Sequence, residues 1–319
     1  MSTKPAISFS ASPGPGRSGA TVLVVAAVLC QQLGAAVAVL VFPVVGPLGM
    51  VALRMGFSAV VLLAMARPRI RNLGPAAWRT AIGLGLVLAA MNSLFFGAIA
   101  RLPLGTAVTI EVLGPLVLSV VASRRASALL WAVLAFAGVA LLGQGGIGTV
   151  DATGVGFALG AATCWAAYIL LNARAGAAFP GFQGLALAMA IGTVASLPGA
   201  VLTTGTALAD PTVLAIGLGV ALLSTAIPYS LELIALRRIP AATFSVLTCT
   251  APAIAALIGF AVLGQPLGWI EAAAIALVVA ASIGAIRTGP RARGGDRPGP
   301  RSRHQAHRPP AQDHPFPQP

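Results

Sequence analysis

From Ala20 to Ile286 the sequence is a succession of apolar runs, parted by short breaks: FPVVGP, RPRIRNLGP, SRRAS, GQGGIGTVDATG, LADP and RRIP. Most runs come near the ~20 residues that a helix needs to cross a bilayer. They fall near 20–42, 46–66, 79–99, 102–122, 127–144, 154–173, 183–204, 212–234, 240–264 and 268–286. Ten helices that are apolar all round leave no faces for water, so packing them as a soluble core fails. Only 8% of the residues are charged and 57% are hydrophobic, against ~25% charged in a soluble domain. The sequence therefore predicts an all-α integral membrane protein with ten transmembrane helices.

The net charge of +13 does not point to nucleic acid. Much of it sits in the segment after the last run, where seven arginines face two aspartates among eight prolines. Such a segment cannot bury enough apolar surface to fold, and a basic tail beside a bilayer suits anionic lipid. The other arginines lie mainly in alternate breaks. Arg67, Arg69, Arg71 and Arg79, then Arg124 and Arg125, then Arg174, then Arg237 and Arg238 share one side with both termini. The opposite breaks hold Arg101 with Asp151 and Asp210. Basic loops stay cytoplasmic, so both termini are expected inside, in the inner (cytoplasmic) membrane.

Shifting the sequence by 137 residues aligns 93–118 with 230–255 without a gap. Ser93, Leu94, Ala98, Arg101, Pro103, Thr106 and Pro115 meet Ser230, Leu231, Ala235, Arg238, Pro240, Thr243 and Pro252. Five spans separate the copies, an odd number, so the second runs the opposite way. Inverted repeats build many secondary transporters, with the site near the midplane between the halves. The expected organisation is a cytoplasmic segment 1–19, a five-helix repeat over 20–144, a second over 154–287 and a disordered basic tail over 288–319.

Charges within the spans mark the candidate site. Arg54 in the second span and Glu111 in the fourth each lie eight residues from the expected outer end, roughly 12 Å deep at 1.5 Å per residue. A charge at the bilayer centre costs at least ~2.5–3.5 kcal/mol, so both should face the interior. They form a structural pair or share a ligand. Glu111 could carry a proton or meet a substrate ammonium, and Arg54 a substrate carboxylate. Asn92 lies near the same depth, Gln31 and Gln32 near the middle of the first span. Trp165 and Tyr168 share a helical face, though aromatic packing is the commoner explanation of such a pair. Tyr229, Ser230 and Thr248, with Ser224, Thr225 and Thr250, make the eighth and ninth spans polar enough to line a path, or serve as helix contacts. Pro228 and Pro252 could free carbonyls there. Gly156-x-x-x-Gly160 would permit close packing. Glu232 and Glu271 read as boundary residues.

No P-loop, HExxH or nucleophile elbow occurs. His304, His307 and His314 all lie in the tail, and Cys30, Cys164 and Cys249 have no metal-ligand spacing. The chain is expected not to be an enzyme and to use no cofactor or metal. Its expected partners are a small-molecule substrate and the lipid bilayer, with no nucleic acid; a homodimer is one arrangement compatible with it.

The stretches FPVVGPLGMVALR (42–54), MNSLFFGAIARLPLGTAVTIEVLGPL (91–116), ALGAATCWAAYILLNARAG (158–176) and STAIPYSLELIALRRIPAATFSVL (224–247) are not generic apolar runs. Over residues 20–287 the chain resembles the EamA-type branch of the drug/metabolite transporter superfamily, and within it the threonine/homoserine exporters. That resemblance implies ten transmembrane helices, two EamA repeats and export of small amino acids or related metabolites; proton antiport through Glu111 is one expected route. It places the family's arginine on Arg54 and its glutamate on Glu111. It also implies glutamates where this chain has Ala251 and Gln265, which leaves Glu111 as the only acid far from a span end. Export of another metabolite or a drug, or a non-transporting scaffold or sensor, are the competing expectations.

Overall fold

The fold is an assembly of helices joined by short turns, with no strand among the described residues. The computed structural model describes residues 17–68, 73–123, 126–142, 151–236, 238–239 and 241–288. The N-terminal segment, the basic tail and Arg69, Arg71, Arg124, Arg125 and Arg237 lie outside them. The helices are α1 (Arg17–Ala66), α2 (Pro75–Ile99), α3 (Leu104–Glu111), α4 (Leu113–Ser123), α5 (Ala126–Leu142) and α6 (Ala152–Ala178). Then come α7 (Gln183–Thr204), α8 (Pro211–Ala221), α9 (Ile227–Leu236), α10 (Ala241–Thr248), α11 (Ala251–Leu263) and α12 (Trp269–Thr288). A 3₁₀ turn follows α7 at Gly205–Ala209, and a π-helical turn over Leu222–Ala226 joins α8 to α9. Among the described residues, seven helices are long and apolar enough to cross a membrane, with two shorter apolar ones beside them. The protein is a multi-pass membrane protein.

Proline chemistry explains where the spans depart from plain rods. A proline lacks the N–H for the carbonyl four residues back and crowds it. Pro115 does this to Glu111, and the fourth span is interrupted at Val112 between α3 and α4. Pro252 does it to Thr248, and the ninth is interrupted at Cys249 and Thr250 between α10 and α11. Pro228 does it to Ser224, inside the π-helical turn, where the Ile227 N–H reaches back to the Leu222 carbonyl. In α1, between Pro43 and Pro47, Gly46 takes φ 65° and divides the 50-residue helix into two limbs. The first two expected spans are thus two helical limbs that meet directly at the kink at Gly46. The Thr204 hydroxyl donates to the Val45 carbonyl at 2.6 Å and closes the bend.

Helices in lipid gain little from apolar burial and associate through close packing of small residues. A Cβ at Gly85 of α2 would lie 2.7 Å from the Ala188 carbonyl of α7, and one at Gly114 would overlap the Ala162 carbonyl of α6. Of the expected Gly156-x-x-x-Gly160 contact only half holds: Gly160 meets the Leu94 side chain, whereas nothing lies within 4 Å of Gly156. The main core gathers around Phe96, Met50, Met55, Leu84, Leu88, Leu104 and Ile110, all fully buried.

Polar contacts sort the helix ends. Val45 meets Thr204, Arg101 pairs with Asp151 at 3.2 Å and Leu104 meets Gln265. Ala20 and Val24 cluster with Ala235 and Ile239. Asp151 and Asp210 cap α6 and α8 by accepting backbone N–H bonds. At Asp151 partial desolvation raises the pKa, but the Thr153 N–H and Arg101 outweigh it and the net shift is downward. At Asp210 the Val213 and Thr212 N–H groups hold the carboxyl below its usual value. A lowered acid stabilises the fold above its unfolded pKa, and the contribution is lost as pH falls through the lowered value. Asp210→Ala should therefore lower the melting midpoint at pH 7, and the gap from wild type should narrow below about pH 4. Melts of the detergent-solubilised protein across pH check this.

Candidate functional site

Phe96 is the floor over which the Arg54 cation lies. It is fully buried on α2 and tilts against Phe42 at 5.7 Å and Phe95 at 6.0 Å. The Arg54 guanidinium, partly buried on the second limb of α1, stands 5.5 Å from the centre of its ring. A desolvated contact of this kind contributes ~2 kcal/mol, and it fixes the direction in which the cation points. Glu111 ends α3, partly buried, and Arg54 is close enough to act on its carboxylate electrostatically. The two charges that the sequence puts at one depth do sense each other in the fold.

Asn92 lies one turn from Phe96 on the same face of α2. It is 5% exposed and donates to the Leu88 carbonyl at 2.8 Å, so its amide oxygen still has acceptor capacity. Trp165 and Tyr168 on α6 pack against the main core, partly buried. In the antiparallel pairing of α6 with α2, Gly160 meets Leu94 and Phe157 meets Gly97. That register sets Trp165 and Tyr168 two turns and more from the level of Phe96.

The second-half candidates scatter. Ser230 is exposed and donates to the Ala226 carbonyl of its own helix at 2.7 Å. Thr248 is partly buried and donates to the Ser245 carbonyl at 2.9 Å, yet it ends α10 as Glu111 ends α3. The Tyr229 side chain lies outside the described residues. Gln32 is buried and reaches the Ala251 carbonyl at 3.4 Å, tying the first limb of α1 to the break before α11. Ser58 donates to Thr225 at 3.0 Å, and the neighbouring Ser224 hydroxyl is buried without a partner among the described residues.

Nothing in the sequence singles out Phe96, although it lies within MNSLFFGAIA. Its spacing of four from Asn92 was the available signal. The sequence marks Gln265 only as a position where the resemblance implies an acid. In the fold its Oε1 accepts the Leu104 N–H at 2.9 Å and caps α3, whose own N-cap, Pro103, offers no side-chain acceptor. The residue thus has a packing role far from the Arg54–Glu111 pair.

The EamA-like transporter family matches residues 152–287. Two similar proteins are the threonine/homoserine exporters RhtA of Escherichia coli strain K12 and of Salmonella typhimurium strain LT2. The first is 40% identical over 270 residues, 84% of this chain and 91% of the relative. The second is 40% identical over 260 residues, 81% of this chain and 88% of the relative. One crystal structure aligns with a TM-score of 0.58 at 21% identity, covering 86% of this chain and 97% of that one, which speaks to the fold alone. These relatives are transporters and not enzymes, and at this identity and coverage the chain belongs to the EamA-like transporter family.

Proposed function

We propose that the protein is a secondary exporter of small amino acids such as threonine and homoserine. The identity to exporters of that name over about nine-tenths of their length carries this reading. The interior pair of Arg54 and Glu111 supports it, because an amino acid brings a carboxylate for the first and an ammonium for the second. In this reading Glu111 also exchanges a proton as the path alternates, giving proton antiport. The substitution at Gln265 needs no change of cargo, since its role as a helix cap accounts for it.

The topology we propose has ten crossings, both termini cytoplasmic and the protein in the inner membrane. Dividing α1 at Gly46 gives two, and joining α3 to α4, α8 to α9 and α10 to α11 gives three more. With α2, α5, α6, α7 and α12 the total is ten. The contacts of Val45 with Thr204, Arg101 with Asp151 and Leu104 with Gln265 support it, because every one joins ends that this topology puts outside. Breaks at Glu111 and Thr248, 137 residues apart, support the inverted repeats over 20–144 and 154–287.

The test is efflux of preloaded labelled threonine and homoserine from cells expressing the protein, compared with cells lacking it. Arg54→Leu is expected to cut efflux about ten-fold or more, a loss of at least ~1.4 kcal/mol. Arg54→Lys should retain an intermediate rate, because an ammonium keeps the charge without the planar face that lies on Phe96. No wild-type efflux of either amino acid would sink this cargo and direct attention to other metabolites and drugs.

A further inference from the structure

The crossing of α3 with α11 is the tightest seam between the two broken spans. A Cβ at Gly105 would sit 2.7 Å from the Ala256 Cβ and 2.8 Å from its Cα, so the two backbones touch. About two turns further out, Gly264 ends α11 with φ 64°, and the Gly264 and Gln265 N–H groups both close on the Gly259 carbonyl. This turn folds the Gln265 side chain back toward α3, where its Oε1 takes the Leu104 N–H. The cavity left beside Thr106 and Gln265 measures about 20 Å³, room for a single water.

The register of this antiparallel crossing sets Gly105 opposite Ala256, and therefore Val112 opposite Cys249. The two spans are broken at the same level. Beyond it they separate: α4 packs on α6, α5 and α12, whereas α10 packs on α1, α12 and α9. One half of the pair is sealed, and the other half, apart from the shared α12, is held by different neighbours.

We propose that the Gln265 carboxamide is a positioning latch. It holds the sealed α3–α11 end of the pathway shut and must release Leu104 for that end to open. The proposal rests on the transport reading above, which puts this end on the outside. The backbone contact at Gly105 gives the seal its shape. The latch adds one hydrogen bond that only the closed arrangement can make, between residues 161 apart in sequence. Losing it should shift the balance toward the open form by about five-fold, the factor for one net hydrogen bond of ~1 kcal/mol.

Single cysteines test this in a C30A, C164A, C249A background. Thr106→Cys reports the sealed end. Ser245→Cys reports the other half, because Ser245 is partly buried on α10, beyond the break. Membrane-impermeant maleimide is applied to intact cells for the first and to inverted vesicles for the second. Q265L is expected to raise labelling at Thr106→Cys about five-fold and to lower it at Ser245→Cys. Q265E, whose carboxylate can accept the same N–H, should leave both rates near those of Gln265. Unchanged labelling in Q265L overturns the latch. So does a rise at Thr106→Cys without a fall at Ser245→Cys, which is local fraying of α3. If Q265L does not reach the membrane, Q265N serves, since its shorter amide cannot reach Leu104, and the same criteria apply. Threonine and homoserine efflux by the parent cells reports on the transport reading separately.

Discussion

Glu111→Gln is expected to reduce efflux of preloaded threonine and homoserine to the level of cells without the protein, at matched abundance in the membrane. The substitution keeps the side chain's volume and removes its negative charge and its ability to carry a proton. Glu111 sits where Pro115 breaks the ladder, at the end of α3, and Arg54 acts on it from the second limb of α1. An ionisable residue inside the membrane is costly unless it has a task or a partner. If its task is to alternate charge states during the cycle, a permanently neutral amide stops the cycle, and loss should exceed about ten-fold, or ~1.4 kcal/mol. The measurement is efflux under an imposed proton gradient. Unchanged efflux would leave transport standing and reduce Glu111 to the structural partner of Arg54.

Substitution at Gly114 should strike the fold instead of the cycle. A Cβ there would overlap the Ala162 carbonyl, and a backbone carbonyl inside α6 cannot swing away as a flexible side chain could. Gly114→Ala should cost about 1–3 kcal/mol through overpacking, and Gly114→Leu should prevent accumulation in the membrane. Gly156→Ala is the control, because nothing lies within 4 Å of a Cβ at Gly156 and alanine favours the helix. Thermal melts and membrane abundance measure both. Equal behaviour of the two alanine variants would mean that α4 does not lie against α6 as described.

These two positions differ in how far the sequence reveals them. Arg54 and Glu111 stand out as charges inside apolar runs, and counting from the expected span ends already puts them at one depth. The breaks after Glu111 and Thr248 are legible in Pro115 and Pro252, because proline acts on the carbonyl four residues back wherever it falls. Gly114 is different. It occurs in a largely apolar helix whose serines are Ser119 and Ser123, so the pattern carries no sign of which neighbour Gly114 meets. Gly156-x-x-x-Gly160 looked the better packing motif, and half of it faces open space. The hydrogen bonds of Gln265 to Leu104 and Ser58 to Thr225 join residues 161 and 167 positions apart. Periodicity in a single sequence reports local geometry and is silent on such pairs.

The bend of α1 carries a consequence for biosynthesis. The Val45 carbonyl receives its hydrogen bond from Thr204, 159 residues later in the chain, and the Gly49 backbone is packed by the same threonine. A nascent chain leaving the ribosome therefore holds its first hairpin with an open corner until α7 has been made. Truncation before residue 204 should leave that corner wet and mobile, whereas truncation just after it should not.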